Sequence, residues 1–365
     1  MAVPASRFHP HHRMFFAAKT KGYFLEQNDH ATLLARTSAA TGPIVVEEVS
    51  ECPAGDEAAL AEALKKLQPK KAPSGYLNAN CGVYPSRRVV RKATIEPKRV
   101  KEPGYFAEVL STQFRIEPDK YTTHILNATD GHDFDVAKVT QKEALFCGLP
   151  ADDIVATQDA LLASGIYPER LELGSVAMLG GLVDYLGFKK SKTPTLVLEI
   201  GAETTHSFIV TTSGVEASRP IPQGLDSMLP VVQKELGLRD AEAARKLFFS
   251  NTFDFTGMGP LLVKRLLKEL QSSIGFYEVQ TGQSVGQLLC TSTPPKLAWL
   301  NGAIAAALGV NTLQLDLLPW LQSRQITIPD GVMPGALDVR WFGLFCLMVS
   351  QLSPASDAPA AEKKD

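Results

Sequence analysis

The chain has 365 residues, of which 45% are hydrophobic and 21% charged, and its formal net charge is −2 at pH 7. This composition predicts a soluble globular protein with two or more domains, and it excludes a global electrostatic attraction to nucleic acid. The five cysteines are scattered without a C-x-x-C spacing, which argues against a disulfide framework or a zinc site and is typical of the reducing cytoplasm.

The two ends of the chain carry no pattern of a membrane-spanning or secreted protein. Residues 14–18 form an apolar run too short for a signal peptide, and Lys19 follows directly. A second apolar run, residues 341–349, reaches about half the length that a membrane span requires. We interpret it as a final buried helix or strand. Residues 353–365 are rich in Ala, Pro and charge, and we expect them to be disordered.

The first half of the chain begins with a predicted strand meander. Residues 23–27, 32–36 and 44–48 are short apolar runs separated by turn residues at 28–29 and 42–43. A helix is predicted over residues 56–68, with an acidic first turn and Lys65 and Lys66 in the last turn. Three strands followed by a helix indicate the start of an α/β layer structure.

A dense basic run follows, for which two interpretations stay open. One is an ordinary solvated strand face, and the other is attraction to an anionic membrane surface. Nucleic acid is the weakest interpretation, because no aromatic residues are interleaved with the basic ones for base stacking. The candidates for the membrane-facing surface are Arg87, Arg88, Arg91 and Lys92.

A compact α+β module is predicted next, over residues 104–168. Its elements are helices at 105–114 and 151–164 and strands at 122–128 and 144–147. A further helix is predicted over residues 174–186, since its apolar residues recur at helical spacing.

The second half opens with a strand, a tight turn and a returning strand. Residues 195–200 are nearly all apolar, residues 201–203 break the run, and residues 207–211 return. The tip could hold a phosphate with its backbone N–H groups and hydroxyls, or the hairpin could be part of an ordinary core. A third strand at 214–221 follows. The later predicted elements are helices at 226–236, 240–248, 258–280 and 297–308 and a strand at 287–291.

This order of elements resembles the actin-like superfamily, and more narrowly its bacterial branch containing FtsA and the type IV pilus assembly protein PilM. The segment LVLEIGAETTHSFIVTTSGVEASRPIPQGLDSM at 196–228 resembles the second phosphate hairpin of PilM and the strand after it. Residues 144–179 resemble the end of the inserted 1C subdomain and the linking helix. The resemblance implies an α/β, actin-like (ribonuclease H-like) fold with two lobes and an inserted α+β 1C-type subdomain.

The resemblance also implies a division into subdomains. Residues 1–92 would form the first part of subdomain 1A, 93–168 the inserted 1C-like subdomain and 169–192 the linking helix of 1A. Residues 193–222 would begin subdomain 2A, 223–284 would form 2B, and 285–352 would complete 2A before the tail at 353–365.

The nucleotide-handling parts depart from the family pattern. In nucleotide-binding members each phosphate hairpin contributes an aspartate that orients magnesium, yet residues 16–21, expected to form the first hairpin, contain no acid. Glu199 stands in place of the second aspartate, and residues 290–296, in the adenosine-binding turn, include Pro294 and Pro295. A vestigial site for ATP and Mg²⁺ would use Glu199 as its metal ligand. Its residues would be Glu199, Gly201, Glu203, Thr204, Thr205 and Gly224.

The function implied is a cytoplasmic PilM-like scaffold of a type IV pilus or related secretion assembly, peripheral to the inner membrane. It would bind the N-terminal cytoplasmic tail of a PilN-like membrane protein, in a groove between the first half and the inserted module. Other pilus assembly proteins, an anionic membrane surface and self-association are further possible partners. No catalytic residue is identified, and the alternatives are an active actin-like ATPase and an FtsA-like cell-division protein.

Overall fold

The computed structural model describes residues 21–68, 75–137, 141–250, 252–291 and 293–352. The tail at 353–365 and residues 16–20 of the expected first hairpin lie outside the described residues. Within the described part of the chain, no helix is both long and apolar enough to cross a bilayer.

Fourteen strands are present in the described residues. They are β1 (Gly22–Gln27), β2 (Ala31–Thr37), β3 (Ile44–Pro53), β4 (Leu77–Val83), β5 (Val89–Thr94), β6 (Tyr121–Asn127), β7 (Glu143–Pro150), β8 (Ile166–Leu173), β9 (Thr195–Ile200), β10 (Thr205–Thr211), β11 (Gly214–Ile221), β12 (Gln287–Thr291), β13 (Asn311–Thr312) and β14 (Ile326–Thr327).

Eleven α-helices are present in the same residues. They are α1 (Glu57–Leu67), α2 (Tyr105–Gln113), α3 (Ala151–Ala163), α4 (Gly174–Phe188), α5 (Leu229–Glu235), α6 (Ala241–Phe248), α7 (Gly259–Leu262), α8 (Lys264–Thr281), α9 (Trp299–Leu308), α10 (Leu317–Ser323) and α11 (Phe342–Ser350).

Two sheets share one strand plan. The first has the order β14-β3-β2-β1-β4-β8 and the second the order β11-β10-β9-β12-β13. In both sheets three antiparallel strands form a meander, β1-β2-β3 in the first and β9-β10-β11 in the second. Two more strands continue each sheet beside the first strand of the meander and run parallel to it, β4 and β8 in the first sheet and β12 and β13 in the second. We call the units around these sheets the first and second lobes. The repeated plan is the one expected of a two-lobed actin-like fold, in which each lobe is built on the same sheet.

The inserted module has its own antiparallel sheet, in the order β5-β7-β6. Its core is aromatic, and Phe146 contacts both Phe106 and Phe114 edge-on, with ring centroids 6.0 and 5.4 Å apart. Strand β5 also touches the second lobe, where the Lys92 N–H donates to Ser218 Oγ at 2.6 Å. The module therefore contacts the second lobe as well as the first.

Three elements lie across or outside the subdomain boundaries that the sequence indicates, and those boundaries stay predictions. β5 begins at Val89 and pairs within the inserted sheet, while β8 begins at Ile166 and pairs with β4 of the first lobe. β8 escapes sequence detection because its residues IYPERLEL include a proline and charges. β14, which is only two residues long, returns the chain to β3 of the first lobe.

Two helices form the interior between the sheets. The linking helix α4 packs on α11, and a Cβ at Gly181 would lie 2.2 Å from Cys346 Sγ, so only glycine allows this close approach. Tyr185, Trp320 and Phe342 are all buried in one core cluster that also takes in residues of both sheets. The final apolar run is therefore a buried helix, one of the two outcomes expected.

The predicted long helix at 258–280 is two helices. α7 ends at Leu262 and α8 begins at Lys264, because Val263 has ψ near −4° rather than the helical value. The Val263 side chain is fully buried between them. The apolar periodicity continues across this break, so the sequence pattern alone does not reveal it.

Candidate functional site

Two glutamates occupy matching positions in the two lobes. Glu26 is the second-last residue of β1, and Glu199 is the second-last residue of β9. Each lies opposite a residue of the neighbouring parallel strand, Gly82 for Glu26 and Thr291 for Glu199. Both are almost fully buried, at 4% and 1% exposure. The duplicated strand plan therefore brings one carboxyl from each lobe to the centre of the molecule.

Residues 16–20 of the expected first hairpin lie outside the described residues, so that expectation stays a prediction. The hairpin that faces the second lobe is the β1–β2 turn, where the Ala202 N–H lies 3.4 Å from Asp29 Oδ2. Glu26 precedes this turn as Glu199 precedes the turn of the second hairpin. The family pattern does not identify this hairpin, because it reads EQNDH, with a glutamate before its turn and no glycine.

Arg88 is bound to Glu199 in the interior. Arg88 Nη2 donates to Glu199 Oε2 at 2.7 Å, and Arg88 Nε donates to Ser175 Oγ at 2.8 Å. Ser175, in the first turn of α4, in turn donates to Glu199 Oε2 at 2.7 Å. The Arg88 side chain is only 8% exposed. A guanidinium from the β4–β5 connection therefore neutralises the carboxylate of the second lobe.

Glu26 is held differently, as a neutral acid. Tyr84 and the Leu344 N–H, near the start of α11, hydrogen-bond to its carboxyl. Burial raises the pKa of Glu26 to about 8, and the nearby charge of Glu199 adds to that rise. A Cβ at Gly343 would lie 2.3 Å from Glu26 Oε1, so the helix approaches the carboxyl through a glycine. At neutral pH Glu26 is therefore mostly uncharged, whereas Glu199 is paired with Arg88.

The tips of the two hairpins leave little space. The Gly201 N–H donates to Thr204 O at 3.0 Å, and a Cβ at Gly224 would lie 2.3 Å from Ala202 O. The cavity between the tips, bordered by Asp29, Arg88 and Glu199, has a volume of about 20 Å³. A volume of that size is enough for about one water molecule.

Three buried polar atoms lie side by side on one face of the second sheet. His206 and Thr291 are the register partners of Glu199 on the two adjacent strands, so the three side chains share a face. Glu199 Oε1, His206 Nε2 and Thr291 Oγ1 have no hydrogen-bond partner among the described residues. Burial and the charge of Arg88 lower the pKa of His206 to about 3, so this imidazole is neutral.

The residues at this end of the cleft do not fit a magnesium-bound triphosphate. Arg88 already takes the position beside Glu199, and Glu26 is neutral. The Ala202 N–H, at the tip of the second hairpin, already donates to the Asp29 carboxylate at 3.4 Å. Pro294 and Pro295, in the turn after β12, supply no N–H donor. Nor does the described part of the chain hold a cluster of three His, Cys, Asp or Glu side chains suited to a metal.

Away from the hairpin tips the interlobe cleft is open. A cavity of about 1350 Å³ lies between β3 and α1 of the first lobe and the second lobe. Cys52 and Lys66 line it on one side, and Phe249, Pro294 and Pro295 on the other. The cleft is therefore narrow between the hairpin tips and open away from them.

The remaining predicted cofactor residues are not gathered at one surface. Glu203 is exposed and Thr204 is half-buried. Thr205 is buried, and its Oγ1 donates to Gln223 O at 2.6 Å. Gly201 and Gly224 meet through their backbones, since Leu225 N donates to Gly201 O at 3.0 Å. Most of these groups are thus used to build the hairpin.

The predicted membrane-facing basic surface is wrong for Arg88 and Lys92. Both side chains are buried, and Lys92 Nζ lies 2.6 Å from Glu143 and 3.5 Å from Glu216. Arg91 stacks over the Phe114 ring at 4.3 Å. Arg87 is exposed but bonded to Asp152 and Asp153. Arg87, Arg88 and Lys92 thus pair with acids from distant parts of the chain, and the run of basic residues does not reveal these pairings.

No protein-family model and no curated protein sequence matches the chain. Among solved structures, the PilM–PilN type IV pilus biogenesis complex matches with a TM-score of 0.66 and 18% identity, covering 92% of this chain and 100% of that chain. Two others match with lower scores. They are the cytoplasmic domain of EpsL from the type II secretion system of Vibrio cholerae (TM-score 0.40, 10% identity, 91% and 94% covered) and an archaeal actin homologue (TM-score 0.41, 10% identity, 91% and 99% covered).

The fold class indicated by the sequence is confirmed. The chain has the actin-like ATPase fold, with the strand plan repeated in two lobes and an inserted α+β module. Its resemblance to PilM-type proteins is likewise confirmed at the level of the fold.

Proposed function

We propose that this protein is a PilM-like scaffold of a type IV pilus or related secretion assembly. It acts in the cytoplasm at the inner membrane and binds the N-terminal cytoplasmic tail of a PilN-like membrane protein. The match over the whole length of a chain of the PilM–PilN complex supports this choice among actin-like functions. The contacts in the interior of the cleft favour a scaffold function rather than an ATPase function.

The observation that carries this proposal is the ion pair between Arg88 and Glu199. In nucleotide-binding relatives, as the resemblance implies, a magnesium ion and phosphates bring positive and negative charge to the two hairpins. Here a side chain supplies the positive charge and Asp29 supplies a carboxylate to the second hairpin. The lobes are joined by residues of the chain itself, so a bound nucleotide is not needed to hold them together.

We place the tail-binding surface beside strand β8. β8 ends the strand order of the first sheet, so one of its edges has no strand partner among the described residues. An extended peptide adds to such an edge through its backbone hydrogen bonds. Tyr167 of β8 and Val155 of α3, a helix that packs on β8, are both exposed apolar side chains. These two side chains offer apolar contacts to a bound tail at the boundary between the first lobe and the inserted module.

Isothermal titration calorimetry with synthetic N-terminal tails of membrane proteins encoded beside this gene tests the partner. We expect micromolar binding of one tail, weakened at least fivefold by the double substitution V155A/Y167A, because exposed aromatic contacts dominate such interfaces. The matched control is Leu318→Ala, an exposed apolar residue of α10, which should leave binding unchanged. Absence of binding by every tail would count against the proposal.

A second titration, with Mg-ATP, separates the scaffold from the alternative. We expect no saturable binding at millimolar nucleotide, because the phosphate end of the cleft is filled. Micromolar affinity together with ATP turnover that Glu199→Gln abolishes would instead establish an active actin-like ATPase.

A further inference from the structure

Helix α8 presents an outward face that the fold does not use. Its inner side buries Leu266, Leu270 and Tyr277 against the second lobe. At 100° per residue the opposite side is centred near Val279. The exposed residues on that side are Lys264, Arg265, Lys268, Gln271, Ser272, Phe276 and Val279.

Two large apolar side chains on this face are exposed to solvent. Phe276 is 66% exposed and Val279 is 87% exposed. A Cβ at Gly275, next to Phe276 and one turn before Val279, would meet no atom within 4 Å. Single exposed apolar residues are ordinary, but two on adjacent turns of one face form a small continuous apolar surface.

The other half of the same face is positively charged. Lys264, Arg265 and Lys268 form no ion pair with any described residue. The two acids of α8 are engaged elsewhere, since Glu269 binds Arg219 at 2.7 Å and Glu278 accepts from the Val285 N–H at 3.1 Å. Three uncompensated cations therefore lie within the first turn and a half of the helix, about 12–22 Å before the apolar residues.

We propose that this face of α8 docks on an anionic membrane surface. The three cations would contact lipid phosphates, and Phe276 and Val279 would enter the boundary between headgroups and acyl chains. The face is a single exposed helix about 27 Å long rather than a groove, so it suits a flat partner that offers negative charge beside a shallow apolar layer. A peptide partner would require a concave site to cover its own apolar side.

This surface is separate from the four basic residues that the sequence indicated for the same role. It also lies in the second lobe, away from the β8 edge, and it does not depend on the proposed tail binding. A vesicle experiment without any protein partner therefore tests it alone.

The experiment is co-sedimentation of the full chain with vesicles. Vesicles containing phosphatidylglycerol should bind the protein, vesicles of phosphatidylcholine alone should not, and binding should fall as salt rises. The triple substitution K264Q/R265Q/K268Q should weaken binding by about fivefold for each cation removed. F276S/V279S should weaken it as well, with its circular dichroism melting curve unchanged because both side chains are exposed.

The control is K98Q/K101Q/K142Q, which removes the same charge from exposed lysines of the inserted module and should leave binding intact. Three results would overturn the proposal. The first is no binding to phosphatidylglycerol vesicles, and the second is an equal loss of vesicle binding in the control triple variant. The third is that F276S/V279S loses self-association but keeps its vesicle binding. That result would make the face a contact between two copies of the chain.

Discussion

Arg88 Nη2 lies 2.7 Å from Glu199 Oε2, and 111 positions separate the two residues in the chain. The arginine follows a strand of the first lobe, and the glutamate belongs to the central strand of the second. A buried ion pair of this kind adds little net stability compared with an apolar pair of the same shape, but the loss of one partner leaves an uncompensated buried charge. The bond therefore specifies how the lobes meet more than it stabilises them.

Removal of the cation alone should be costly. We expect Arg88→Met to lower the free energy of unfolding by about 3–5 kcal/mol, because Glu199 would remain charged and buried. The double substitution R88M/E199Q should recover a large part of that loss. Urea unfolding of the two single variants and the double variant gives the coupling energy.

Arg87→Met is the matched control for this cycle. Arg87 is half exposed and pairs with Asp152 and Asp153 at the surface, where solvent screens the charges, so its loss should cost much less than the loss of Arg88. Simple additivity of R88M and E199Q would show that the interlobe pair is not coupled as the distances indicate.

Glu26 should make stability depend on pH. Its pKa is about 8 in the folded protein, against an ordinary value of 4.5, so the native state holds one more proton than the unfolded chain between these values. Stability contributed by this group is therefore complete below pH 4.5, declines as pH rises towards about 8 and levels off above it. Chemical unfolding from pH 5 to pH 9 measures this slope.

Glu26→Gln should flatten that part of the profile, because the amide does not ionise. Glu235→Gln, at an exposed position, should leave the slope as it is in the unaltered protein. An unchanged slope in Glu26→Gln would mean that Glu26 is ionised in the fold.

Two glycine substitutions should have opposite effects. At Gly224 an added Cβ would lie 2.3 Å from Ala202 O and 2.5 Å from Gly201 O, both backbone atoms that cannot move freely. Gly224→Ala should therefore destabilise the protein by about 1–3 kcal/mol and lower the melting temperature. At Gly180, inside α4, a Cβ would meet nothing within 4 Å, so Gly180→Ala should stabilise by about 0.5–1 kcal/mol. A small effect at Gly224 would show that the second hairpin adjusts easily.

Local pattern was enough to predict most of the elements. The hairpin β9–β10 reads directly from an apolar run, a small-residue turn and a returning run, and α3 follows from its periodicity and the glycine after it. The order of these elements led to the actin-like fold class. Local pattern does not reveal β8, which contains a proline and charges, or β14, which has two residues and pairs with β3.

The sequence by itself determined the fold class and the second hairpin, because both depend on contacts between near neighbours in the chain and on their order. Only the tertiary structure decided what Glu199 does. In the folded protein Glu26 lies at the matching position of the other lobe. Arg88 is buried in the interior, although it was expected at the surface, and Asp29 contacts the second hairpin. The physical reason is that the protonation and pairing of a buried charge depend on groups brought together from distant parts of the chain, and residue type alone does not reveal which groups those are.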